Sequence, residues 1–190
     1  MASAIETTPQ GTIDLPDIED QHAFNLAVWE KAIADPELAR IEFRIETDRY
    51  GNYIMAPPPA PEHGEGQSDI GFYLRTLLPD GRVITECPIS TSEGVRIADV
   101  AWSTRPRRRA QRGQVCLTHA PEICVEIFSP SNTRREMREK SALYFEAGAE
   151  EVWFCDRGRR MTFFLKDAPE TPATSRLCPN FPAQLELEEP

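Results

Sequence analysis

Between Glu122 and Asp156 the chain spells out a strand, a capped helix and a second strand, with little left over for anything else. Glu122 to Phe128 is a strongly apolar strand run. Thr133 and Glu136 stand three apart, the spacing of a capping box, and predict a helix to about Ala147. Gly148 follows where a helix commonly closes in the left-handed conformation, and Val152 to Asp156 is apolar again. Strand, helix, strand in this order predicts a parallel crossover, which commits the chain to an α/β fold.

The remaining elements attach antiparallel hairpins to that unit. Asp20 can cap a helix through about Ala34, with Phe24, Ala27 and Val28 on its apolar stripe and Pro36 limiting it. Ile41, Phe43 and Ile45 alternate with Glu42, Arg44 and Glu46, then Asp48 to Gly51 turns the chain into a strand over Asn52 to Ala56. Past the prolines, Glu62 to Leu78 reads as a helix with Ile70, Leu74, Leu77 and Leu78 inward, ended by Pro79-Asp80-Gly81. Strands follow near Arg82 to Cys87 and Val95 to Trp102, then a basic loop. Beyond the crossover, Val152 to Asp156 and Met161 to Lys166 form a hairpin with Trp153, Phe154, Phe163 and Phe164 in its core. A Pro-rich surface tail ends in Glu186, Glu188 and Glu189.

At 190 residues the chain suits one domain with a substantial core. We expect that domain over residues 20–190, preceded by a flexible acidic arm over 1–19 that is too polar to bury much. The formal charge of −10 argues against a broadly cationic nucleic-acid binder, though not against an enzyme with a local basic groove. Five cysteines without Cys-x-x-Cys spacing point to buried, reduced thiols, and with no membrane-length apolar run and no signal pattern they place the protein in the cytoplasm.

Two acids interrupt the apolar runs: Asp99 in Ile97-Ala98-Asp99-Val100-Ala101 and Glu126 in Val125-Glu126-Ile127. A carboxylate in a buried strand is costly unless paired, hydrogen-bonded or bound to a cation, and a divalent metal would account for both. Lys140 lies three residues after Met137 and four before Tyr144, on the inward stripe of the crossover helix. A lysine there can orient water or stabilise charge on a phosphate. Strand parity places Glu42 and Glu46 on one side of the first hairpin and leaves the choice between them open. His63, opening the second helix, offers a phosphate contact or proton carrier, and Arg105, Arg107, Arg108, Arg109 and Arg112 offer a grip on a phosphate backbone.

These residues resemble the Uma-type restriction-endonuclease family of the PD-(D/E)XK nuclease superfamily. The similarity runs through the Asp99 motif, Val125-Glu126-Ile127-Phe128-Ser129-Pro130-Ser131, Glu139-Lys140-Ser141-Ala142-Leu143-Tyr144, Glu151-Val152-Trp153-Phe154-Cys155-Asp156 and Leu177-Cys178-Pro179-Asn180-Phe181. It implies a restriction-endonuclease-like core, a mixed central sheet with flanking helices, and magnesium-dependent hydrolysis of DNA, with manganese as a substitute. Asp99 and Glu126 would bind the metal, Lys140 and Glu46 would complete the catalytic set, and the resemblance favours Glu46 over Glu42. Two positions depart from the superfamily pattern. Alanine replaces the proline before Asp99, and Phe128 stands where a lysine usually follows the glutamate, so the resemblance implies that Lys140 supplies the amine from the helix. A non-catalytic nucleic-acid or protein-binding module on the same fold is the competing expectation. Cutting both strands of a duplex is easier with two sites, which makes a symmetric homodimer the hypothesis for assembly.

Overall fold

The computed structural model describes residues 18–41, 43–129 and 132–185. Its centre is a six-stranded mixed sheet in sequence order, built from β3 (Gly81–Thr91), β4 (Gly94–Thr104), β5 (Ile123–Ile127), β6 (Glu151–Cys155), β7 (Met161–Leu165) and β8 (Ala168–Ala173). The pair β5–β6 is parallel and every other neighbour is antiparallel, so the expected crossover is the one place where adjacent strands of this sheet run in the same direction. Its helix, α4 (Arg134–Glu146), begins with the capping box of Thr133 and Glu136. It ends at Gly148, whose φ of 107° only glycine adopts readily, with His119 packed where a Cβ would project.

Helix α2 (Pro61–Leu77) covers one face of the sheet and α4 the other. Strand β5 is buried at every position because it serves both layers: Ile123, Val125 and Ile127 pack towards Ile70 and Leu74 of α2, while Cys124 joins Met137, Tyr144 and Phe145 of α4. Alternation therefore turns Glu126 towards α4. Trp153 is fully buried in the α2-side core, its ring 5.0 Å from Phe163 and 4.7 Å from Phe181. Helix α1 (Gln21–Ala34), capped by Asp20, lies over the turn end of the β3–β4 hairpin through Trp29, Val95, Ile97 and Cys116.

Several expectations need correction. The buried residues of α1 are Asn25, Trp29 and Ala32, and Ala27 is exposed, because that helix packs on the hairpin end and not on the main core. The first hairpin, β1 (Arg44–Thr47) with β2 (Tyr53–Ala56), forms a separate two-stranded sheet. It presents Arg44 and Glu46 inward while Phe43, Tyr53, Ile54 and Met55 are exposed, the reverse of an ordinary amphipathic hairpin. The basic run is not a loop; it is a short helix, α3 (Arg105–Ala110), capped by Thr104. The Pro-rich tail adds β8 at the sheet edge, where Pro169 and Pro172 are tolerated, and then returns Cys178, Phe181 and Leu185 to the core. The expected arm lies, apart from Ile18 and Glu19, outside the described residues, as do Glu42 and the acidic end 186–190.

All five cysteines are buried and free. Among the described residues no helix is long and apolar enough to cross a membrane. The capping box sets the start of the helix that carries Lys140, so Thr133→Ala should cost about 1 kcal/mol of stability, measured as a lower midpoint in urea with unchanged slope.

Candidate active site

Asp99 lies in the middle of β4 and is almost completely buried, with each carboxylate oxygen engaged. Oδ2 accepts the Ile127 backbone N–H at 2.6 Å, tying β4 to the end of β5. Oδ1 lies 2.5 Å from Nη1 of Arg44 and 3.3 Å from Nε2 of His63. Burial alone would raise the Asp99 pKa; the His63 contact, the Arg44 charge and the Ile127 N–H outweigh it and hold the carboxyl below its usual range.

Glu126 points to the α4 side. Lys140 Nζ sits 3.2 Å from Oε1 and 3.1 Å from Oε2, and the Tyr144 hydroxyl donates to Oε1 at 2.6 Å. The same ammonium reaches Glu46 Oε1 at 2.9 Å and the Ile97 carbonyl at 3.2 Å. Glu46 in turn accepts the Ile97 N–H at 3.0 Å. Desolvation pushes Glu126 up to about 7 against the pull of Lys140. Burial lowers the Lys140 pKa, but Glu126 and Glu46 more than reverse this and the amine stays protonated.

Lys140 thus gathers Glu126 and Glu46, Asp99 lies close enough for its charge to act on both Glu126 and Lys140, and Phe128 packs edge-on against Phe154 at 5.7 Å. His63 is not a solvated helix end: its side chain is only 10% exposed. Of the arginine run, Arg107 is structural, bonded to the carbonyls of Ala120 and Gly148 and paired with Glu122 and Glu150. Arg105, Arg108, Arg109 and Arg112 join Arg82 around a groove of about 520 Å³ that shares no residue with the acidic cluster. A second cleft, of about 350 Å³, opens beside His63 and is lined by Ile127, Phe128, Arg157 and Arg159.

Two site residues escaped the sequence reading. Arg44 places its guanidinium between Asp99 and Glu86, with Nε 3.2 Å from Glu86 Oε2, and donates from Nη2 to the Ile97 carbonyl at 2.6 Å. Burial lowers the Arg44 pKa, and the carboxylates around it, Asp99 foremost, raise it further than burial lowers it. Glu86 faces Asp99 across the β3–β4 ladder, between the pairs Thr85–Val100 and Cys87–Ala98, and has a φ of 50°. Both left a trace. Arg44 is two residues from Glu46 on the same side of its strand, and a two-residue turn between Thr91 and Gly94 fixes a register that opposes 86 to 99.

The sequence pattern of the Uma2 family, "Putative restriction endonuclease", matches residues 34–189. The chain belongs to this family. No curated protein matches it. Among solved structures it is similar to one described as a "putative nuclease belonging to DUF820" from Anabaena variabilis ATCC 29413, with a TM-score of 0.60, 16% identity, and coverage of 75% of this chain and 80% of that one. At that identity the likeness speaks for the fold. The stretches through which the sequence resembles the Uma2 family, from Asp99 to Phe181, all fall inside the matched region.

The pKa of Glu126 makes a prediction about stability. Between the unfolded value near 4.5 and the folded value of about 7, the native state holds a proton that the unfolded chain has released, so stability falls as pH rises through this window. Glu126→Gln removes that titration. The melting temperature of the metal-free Gln variant relative to wild type should therefore climb from pH 4.5 to 7, and a pH-independent difference would contradict the assignment.

Proposed function

We propose that this Uma2 protein is a divalent-metal-dependent endonuclease that hydrolyses phosphodiester bonds in DNA, with Asp99, Glu126, Lys140 and Glu46 as its working residues. The observation carrying the reading is the Lys140 ammonium, 3.1 Å from Glu126 although Phe128 stands at the usual lysine position. An amine delivered from the helix restores the two-acids-and-lysine constellation that the strand alone lacks.

The donor set suits magnesium, with manganese as a substitute. Carboxylate oxygens are hard ligands, and among the described residues Glu46, Glu86, Asp99 and Glu126 form ion pairs with Arg44, Lys140, Arg96 (3.9 Å from Glu46) and His63 (3.3 Å from Asp99). Asp99 and Glu126 would hold the ion, which when bound polarises the phosphoryl group and lowers the pKa of a water. The three N–H groups of Lys140 are taken by Glu126, Glu46 and the Ile97 carbonyl, so its ammonium would release one of these acceptors to turn to the phosphate or to the attacking water. Glu46 is a positioning residue for Lys140, and Tyr144 does the same for Glu126. Arg157, exposed in the cleft beside His63, would meet a phosphate flanking the scissile one, whereas Arg159 is buried there and held by the Glu62 carbonyl, Glu65 and Asp69. Free, buried thiols accord with a cytoplasmic protein. Two copies related by a two-fold axis would give the two sites that duplex cleavage needs, and light scattering reads that directly.

A second reading, a binding module that has lost catalysis, draws on Phe128 and on the close grip of Arg44 on Asp99. Plasmid nicking with Mg²⁺ or Mn²⁺ separates the two. The wild type should nick, and Asp99→Asn, Glu126→Gln and Lys140→Ala should each slow it by about 100-fold or more. Undiminished nicking by the Asp99 and Glu126 variants removes the proposed mechanism, and wild-type binding without cleavage establishes the second reading.

A further inference from the structure

We infer that Asp99, Glu86 and His63 together form a divalent-cation site of mixed oxygen and nitrogen character, one that takes Mn²⁺ and Co²⁺ in preference to Mg²⁺, and that Arg44 holds the place of the ion in the metal-free protein. The inference rests on the metal-dependent reading above; it keeps Asp99 as a ligand, sets Glu86 and His63 beside it in place of Glu126, and moves the ion preference from magnesium to manganese.

One ligand atom from each of the three residues lies within 4.8 Å of the others. Around an octahedral ion with bonds of about 2.1 Å, neighbouring ligands are about 3 Å apart and opposite ones about 4.2 Å, so small side-chain rotations close this set. The independent observation is His63. Its side chain is nine-tenths buried, neither ring nitrogen makes a well-formed hydrogen bond, and Nε2 is aimed at Asp99 Oδ1 from 3.3 Å. A buried imidazole without a proper partner is costly, and metal ligation satisfies it.

Arg44 shows that the position is built for positive charge. Its guanidinium lies between the same two carboxylates that would share the ion, Nη1 on Asp99 and Nε on Glu86, and Nε makes no well-formed hydrogen bond there. Arg44 belongs to the β1–β2 hairpin, outside the main sheet, so withdrawing its side chain gives up its bond to the Ile97 carbonyl but breaks no pairing of the β3–β4 ladder. Glu126 need not move, since Lys140 and Tyr144 already engage its oxygens. Magnesium favours an all-oxygen shell, whereas an imidazole nitrogen strengthens binding along the series from manganese to cobalt.

The test is Mn²⁺ binding to the full chain, read by calorimetry and by pulsed EPR. Wild type should bind Mn²⁺ more tightly than Mg²⁺ and show coupling to a coordinated imidazole ¹⁴N. Glu86→Gln, at a half-exposed position, and His63→Gln should each weaken Mn²⁺ by about tenfold or more, and His63→Gln should abolish the ¹⁴N coupling. Because that coupling is first read on the wild type, a variant that fails to fold leaves the test intact. Tight Mn²⁺ binding without ¹⁴N coupling, unchanged in Glu86→Gln, overturns this inference and leaves Asp99 with Glu126 as the site. Failure of the wild type to bind Mn²⁺ at all overturns the metal-dependent reading as well.

Discussion

Negative charge buried at the centre of the sheet, and the cations that hold it there, is the constraint on which the rest of this structure depends. Asp99 and Glu126 lie in strands that otherwise read as core, and each carboxylate raises the cost of ionising the other. Arg44 from the outlying hairpin and Lys140 from α4 reach in to meet them. Leaving either charge unpaired at that depth would cost several kcal/mol. The hairpin and the crossover helix are therefore docked by electrostatics at the site as much as by apolar contact, which explains how β1 can turn polar residues inward and leave Phe43 in solvent.

Buried carboxylates elsewhere in the protein show what a structural solution looks like. Glu151 accepts the backbone N–H groups of Arg176 and Leu177 and the Trp153 indole N–H, and so ties the returning C-terminal segment to the sheet. Glu122 accepts from the Thr104 backbone and hydroxyl and pairs with Arg107, pinning α3. Both are satisfied by groups that have no reason to leave. Asp99 and Glu126 each keep one fixed donor, the Ile127 N–H and the Tyr144 hydroxyl, and are otherwise met by Arg44 and Lys140 reaching in from other elements, partners that the proposed metal or phosphate would displace. Burial alone does not separate the two kinds of acid; the identity of the partner does.

The fold was legible where local chemistry and periodicity agreed. Thr133 with Glu136, and Gly148 fifteen residues after Thr133, delimit α4 by hydrogen bonding and backbone freedom that belong to those residues themselves. The inward stripe of α4 already contains Lys140, so its approach to Glu126 follows from helical spacing once β5 and α4 pack. Less legible was anything decided by a partner distant in sequence. Pro169 and Pro172 argue against a strand except at an edge, and the sequence does not say where the edge is. Cys178 and Phe181 look like tail residues until Trp153 is known to need covering.

The sequence by itself determined the α/β class and the crossover, and it singled out Asp99, Glu126 and Lys140 as candidates, because buried acids and a lysine on an apolar stripe are costly enough to stand out without coordinates. Tertiary structure alone decided that Arg44 and Glu86 lie beside Asp99, and that His63, offered by the sequence as a phosphate contact or proton carrier, lies against Asp99 as well. Each of those is unremarkable in its own element: an arginine on a polar strand face, a glutamate in a half-exposed strand, a histidine near a helix start. Their meaning lies in separations of 2.5, 3.2 and 3.3 Å across three different elements, and short-range Coulomb and coordination forces act on such distances, which no sequence spacing encodes.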